Sequence, residues 1–150
     1  FFLAVRDLIV RFVNNLKLYH MNREKLAKLY KKYDLSSDEI FKHQHYMIIT
    51  RAGIDKIQAI EGINIEYDVI NSLPNFSVVK ANANKGDKEI ETFGSALKGE
   101  THRDGNCNTW YVMEMAEKRA MSRAVLKMTG FYELGVFGED ESEDFKRKNI

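Results

Sequence analysis

The chain has one cysteine, one proline and one tryptophan among its 150 residues. A lone cysteine, Cys107, excludes an internal disulfide framework and fits a reducing cytoplasm. No apolar run reaches the length of a membrane span. The opening "FFLAVRDLIVRFVNNLKLYH" is interrupted by Arg6, Asp7, Arg11 and Lys17 and lacks a small-residue cleavage site, so it does not read as a signal peptide. No glycine-rich phosphate loop of the Walker type and no nucleophile elbow occurs, which removes the commonest motif-borne enzyme classes. Positive charge also looks scarce, because the net charge is only +1. The cause is local. Glu139, Asp140, Glu141, Glu143 and Asp144 crowd into "GEDESED", and without those five acids the remainder carries +6. A moderately basic body followed by an acidic tail tolerates a polyanionic partner.

With 44% hydrophobic and 30% charged residues, the chain can bury a sizeable core in one domain. Val5, Leu8, Ile9, Phe12, Val13 and Leu16 recur at helical spacing, giving an N-terminal helix over about 3–18. Asn22 to Tyr33 reads as a second helix with Leu26, Leu29, Tyr30 and Tyr33 inward. Met21 opens "MNREKLAKLY", which leaves the origin of residues 1–20 open. "DLSSDEIFKH" has the look of a capped helical turn, with Ser36 or Ser37 ahead of Asp38 and Glu39. "YMIIT" is a short strand, and Thr50 offers an N-cap to "RAGIDKIQAIEG", which Gly62 ends.

From residue 63 the period changes. "INIEYDVI" alternates as a half-buried strand, "NSLPN" is a turn, "FSVVKANAN" a second strand, "KGD" a tight turn and "KEIETFGSAL" a third strand. Gly94 inside that strand signals a bulge or a close backbone approach. A polar loop, "KGETHRDGNCN", leads into a helix from about Thr109 to Thr129. Met113, Ala116, Ala120, Met121, Ala124 and Met128 form its buried stripe, and "FYELGVF" tucks against the core behind it. The fold class is α+β: N-terminal helices, then a three-stranded antiparallel meander followed by a long packed helix. The expected divisions are 1–20, an N-terminal helix; 21–138, a single nucleic-acid-binding domain; and 139–150, an acidic then basic tail.

Arg119, Arg123 and Lys127 recur every four residues, flanked by Lys118. Such a row can meet successive phosphates of an extended strand. Arg103 in the loop and Lys80, Lys85 and Lys88 around the hairpin extend the basic set. Tyr111 is the aromatic best placed to stack on a base, while Trp110 reads as core. Two weaker constellations stand beside these. His43, His45, His102 and Cys107 could be assembled into a zinc site on paper, but their spacing matches no ligand pattern. Glu66, Asp68, Asp87, Glu89 and Glu91 alternate on strands, and carboxylates so placed could hold magnesium for a nuclease. Neither is convincing, so no catalytic residue, metal or cofactor is assigned.

The element order, with "GIDKIQAIEGINIEYDVI" entering the first strand and "AEKRAMSRAVLKMTGF" as the long helix, resembles the Rad-fifty-two superfamily of single-strand annealing proteins. The chain also looks like uncharacterised proteins of phages of Bacteroidetes-type bacteria; the likeness to the superfamily includes its phage recombinases and covers about residues 50–132. It implies a non-enzymatic protein that binds and anneals single-stranded DNA in recombination or replication. By the same resemblance the chain forms homo-oligomers, and Arg119 and Arg123 touch phosphates in a groove lined by the long helix and the hairpin. A replication or recombination partner would be recruited through the acidic tail. No membrane is involved, and the setting is the cytoplasm, of the bacterial host if phage-encoded. The tail is expected to be mobile and to compete with DNA. A metal-dependent nuclease and a phage structural or assembly protein are the alternatives.

Overall fold

A computed structural model describes residues 2–101 and 103–146, with the backbone alone for 143–146. The chain forms two compact units, residues 1–34 and 35–150. The first is a single helix, α1, Phe2–Lys32. The boundary expected between residues 20 and 21 falls inside it. Nothing in "LKLYHMNREKL" breaks a helix: there is no glycine or proline, and leucine, lysine, methionine and glutamate are good helix formers. The two helices read from the sequence are therefore one. No residue of α1 is fully buried.

The second unit contains β1 (Ile40–His43), β2 (Tyr46–Ile49), α2 (Arg51–Glu61), β3 (Asn64–Ser72), β4 (Phe76–Lys85) and β5 (Lys88–Leu97). After these come α3 (Val112–Met128), β6 (Val136–Gly138) and α4 (Glu139–Lys146). The meander β3-β4-β5 is antiparallel throughout, as its short turns require. Its one irregularity lies in β3, between Val69 and Asn71, and not at Gly94, which pairs in register with Val79. A second sheet, in the order β1-β2-β6, is absent from the sequence reading. There β2 pairs with β6 in parallel, which joins segments some ninety residues apart. "FYELGVF" does reach the core: Phe131 and Val136 are fully buried.

Thr50 caps α2 as expected, its hydroxyl accepting from Gly53 N at 3.3 Å. The capped turn before it is half right. The Glu39 carboxylate accepts from Ser36 N at 2.9 Å, as a capping box would arrange, but the chain then enters β1 instead of a helix. The same carboxylate takes the Lys56 ammonium of α2 at 2.8 Å, and the Glu39 carbonyl accepts from Thr50 N. Tertiary partners thus outbid the local helix signal. The hydrogen bond from Lys56, followed by that from Ser36 N, holds the Glu39 carboxyl below its usual value of 4.5. A depressed carboxyl contributes stability that is complete above the unfolded value and lost as pH falls through the folded one. Glu39→Gln should therefore cost roughly 1 kcal/mol at pH 7, and the gap from the parent should narrow steadily below about pH 4.5. Urea midpoints at pH 7 and pH 3 measure it.

α3 is the centre of the unit. Its stretches Arg119–Ser122 and Ala124–Leu126 are buried without interruption. Four consecutive helical residues sample every side of the cylinder, so this part of α3 is enclosed all round. β4 and β5 pack along it, and α2, β6 and α4 also contact it. The alanines allow that closeness. At Gly94 an added Cβ would stand 2.0 Å from Ala116 O and 2.5 Å from Ala120 N. The Thr92 hydroxyl, buried beside it, donates to Ala120 O at 2.6 Å.

Candidate nucleic-acid interface

The enclosure of α3 dissolves the basic row. Arg119 is only 4% exposed. Its Nη1 donates to Ser95 O at 2.8 Å, its Nη2 to Asn106 O at 2.7 Å and its Nε to Asp140 O at 3.2 Å. One guanidinium thus ties the end of β5, the following loop and α4 to α3. The expectation that Arg119 lines an open groove is corrected: its fork is spent on backbone carbonyls, which are internal acceptors. Arg123 is half-exposed. Its Nη1 donates to Phe93 O at 3.2 Å, and its Nε lies 3.2 Å from Glu141 Oε1, an ion pair without hydrogen-bond alignment. Lys127 lies over the Tyr132 ring at 5.1 Å. Lys118 alone of the row is exposed.

The hairpin lysines are engaged as well. Lys80 lies 3.4 Å from Asp68 and 3.5 Å from Glu91. Lys85 pairs with Glu61. Lys88 donates to Met128 O at 2.7 Å, at the C-terminal end of α3, where a cation suits the helix dipole. The register sets Asp68 opposite Lys80 and Phe93, Glu66 opposite Asn82 and Glu91, and Asn84 opposite Glu89. Four acids and one lysine on this open sheet face make it a poor surface for a polyanion. Hydrogen bonds from Asn82 and then Lys80 hold the Asp68 carboxyl low, and the nearby Glu91 charge raises Lys80. Among the described residues no three His, Cys, Asp or Glu side chains come together to hold a metal ion. His102 of the paper zinc site lies outside the described residues.

The acidic tail is not loose where it begins. Glu139 Oε2 accepts from Arg51 N at 3.0 Å, at the head of α2. Asp140 Oδ2 accepts from the buried Ser122 hydroxyl at 2.8 Å and lies 3.9 Å from Arg51 Nη1. Glu141 faces Arg123. The expectation of a mobile tail is corrected for Glu139–Ser142: these acids are paired with α2 and α3, so they do not repel the chain into solvent. The basic end of the tail, beyond residue 146, lies outside the described residues.

What remains open is the loop between β5 and α3. Leu97 O accepts from both Asn106 N and Cys107 N, and Gly99 N donates to Cys107 O. The Asn106 side chain accepts from Leu97 N at 2.7 Å and donates to Ser95 O. The two arms of the loop cross so closely that a Cβ on Gly99 would stand 2.4 Å from Gly105 N. This compact loop walls a cavity of about 560 Å³ lined by Thr101, Asn106, Asn108, Thr109 and Arg119 among others. Beside it stand Trp110 and Tyr111, 74% and 68% exposed. Both precede α3, whereas the sequence puts them in its first turn and Trp110 in the core. Lys98 Nζ lies 4.1 Å from the indole centroid, a cation–π contact. Arg103 is exposed on the same loop. Tyr111 is thus exposed as expected, whereas Trp110 and Lys98 were missed. Large aromatics are usually buried, and no local pattern marks this one as an exception.

No family model, curated protein or solved structure matches the chain. Among the described residues no helix is long and apolar enough to cross a membrane.

Proposed function

We infer that this chain is a non-enzymatic protein that binds single-stranded DNA and serves strand annealing, with the loop between β5 and α3 as its contact surface. The observation that carries the reading is the adjacent pair Trp110 and Tyr111, both exposed, with the Lys98 ammonium over the indole. Exposed aromatics cost solubility and contribute nothing to the core here. Flat rings beside cations are what an unpaired strand needs, since bases stack on the rings and phosphates meet the charges. Arg103 and Lys118 are further exposed cations of the expected set, whereas the exposed Lys85 and Lys88 are engaged by Glu61 and Met128 O. The order of meander and long helix, which carried the resemblance to annealing proteins, supports the same reading.

Because the chain has one tryptophan, its own fluorescence is the assay. Titration with oligothymidylate at low salt should quench it saturably, and affinity should fall steeply as salt is raised. Trp110→Ala should weaken binding roughly ten-fold or more, since one base–aromatic stack is worth about 1–3 kcal/mol, and the melting temperature should hold. Binding that leaves the fluorescence unmoved, or a Trp110→Ala variant that binds like the parent, refutes this surface. Failure to bind any nucleic acid at low salt refutes the function. Magnesium-dependent cleavage of the oligonucleotide would instead favour the nuclease reading, which the carboxylates on the open sheet face motivate.

A further inference from the structure

We propose that α1 pairs with α1 of a second copy of this chain as an antiparallel coiled coil, through a seam running from Phe2 to Tyr19. The inference depends on α1 being one unbroken helix. Along it Phe2, Val5, Ile9, Phe12, Leu16 and Tyr19 alternate spacings of three and four, the a/d repeat of a heptad seam. All six are exposed, Phe2 at 86% and Phe12 at 64%. Leu8 and Val13 flank the seam and widen it to an arc of roughly 140°. Over about 27 Å of helix, that arc has no polar interruption. A membrane surface asks only for an apolar arc. The alternating spacing, held in phase for two and a half turns of the heptad, is what interlocking with another helix requires.

Charge placement selects the second copy and its direction. α1 has eight Lys and Arg against two acids, Asp7 and Glu24. Within 2–19 the cations largely avoid the seam: Arg11 and Lys17 sit on the outer side, and only Arg6 flanks the contact. Like copies can therefore meet there without direct repulsion. Beyond Tyr19 the repeat reaches Arg23 at a seam position, and Lys25, Lys28, Lys31 and Lys32 follow. A parallel pair would set Arg23 of one copy against Arg23 of the other in the seam and bring the two lysine-rich ends, whose Lys25, Lys28, Lys31 and Lys32 lie on the outer side, to the same end. An antiparallel pair centred between Val10 and Arg11 sends them to opposite ends and opposes the helix dipoles. The same centre produces layers of mixed size: Phe2 with Tyr19, Val5 with Leu16, and Ile9 with Phe12 of the other copy. It places Arg6 beside the other copy's Val13, where no like charge waits.

The test uses the full chain. Sedimentation should give a mass above one chain, and Ile9→Glu with Phe12→Glu should reduce it while leaving the melting temperature of the second unit unchanged. Direction is read from air oxidation of cysteine variants, with the parent, whose sole cysteine is buried, as the control. A mixture of Val5→Cys and Leu16→Cys chains should cross-link, and each variant alone should cross-link far less. A monomeric parent, or one whose mass the double-glutamate variant does not reduce, overturns the pairing. Efficient cross-linking of Val5→Cys to itself overturns the direction. A monomer that instead co-sediments with phosphatidylglycerol vesicles would assign the face to a lipid surface and refute the proposal.

Discussion

Arg119→Ala should destabilise the second unit by about 3–5 kcal/mol, measured by urea unfolding. The substitution removes three charge-assisted hydrogen bonds, to Ser95 O, Asn106 O and Asp140 O, that tie three separate segments to α3. It also empties the volume of a long side chain that is 4% exposed. Arg119→Lys should recover little of this, because an ammonium on a narrower tip cannot span three acceptors on separate segments. The result would separate a structural arginine from a phosphate-binding one. An Arg119→Ala protein that stays as stable as the parent and loses only DNA affinity would restore the basic groove. For the same reason, lost binding in an Arg119 variant has meaning only alongside its unfolding curve. Trp110 and Lys98 are the cleaner positions, because nothing in the core depends on them.

Gly94→Ala should cost about 3 kcal/mol or more, beyond ordinary overpacking, which typically costs about 1–3 kcal/mol. The new Cβ would sit 2.0 Å from the Ala116 carbonyl oxygen and 2.5 Å from Ala120 N. These are main-chain atoms of a helix packed along β4 and β5, so they cannot swing away as a side-chain tip would. Either β5 lifts from α3 or α3 shifts against β6, where Gly138 already lies 3.0 Å, by its own hypothetical Cβ, from Ser122 Cβ. Both routes loosen the loop that follows β5, so the quenching of Trp110 by oligonucleotide should weaken too. Ala120→Gly is the compensating change to try. It relieves little, because the clash is with main-chain atoms, and failure to rescue would confirm that the backbone spacing itself is the constraint. A Gly94→Ala protein with the parent's urea midpoint would show that sheet and helix stand further apart than described.

Local chemistry alone determined much of this protein. Alternation in "INIEYDVI" and its two successors, with turns too short for a crossover, specifies an antiparallel meander. Thr50 and Gly62 delimit α2, and the glycine at 94 announces a bulge or a close approach, of which the structure shows the second. These features are legible because a period, a cap or a missing Cβ acts on neighbours within a few residues. The helix 112–128 was legible too, but not which of its sides is wet. Its Arg119, Arg123 and Lys127 recur as a solvent-facing row would, yet the acceptors that enclose Arg119 come from β5, the loop and α4, none of them local. Likewise β6 completes a sheet with β2 only after the whole meander intervenes, and the acids of "GEDES" become partners of Arg51, Ser122 and Arg123 instead of a free tail. Trp110 reads as core from the sequence and is held outside by a loop whose crossing at Gly99 and Gly105 no pattern declares. Spacing along a chain fixes which residues share a face. What that face meets depends on segments far away in sequence, and burial, which decides whether an arginine is a ligand-binding group or a strut, is set there.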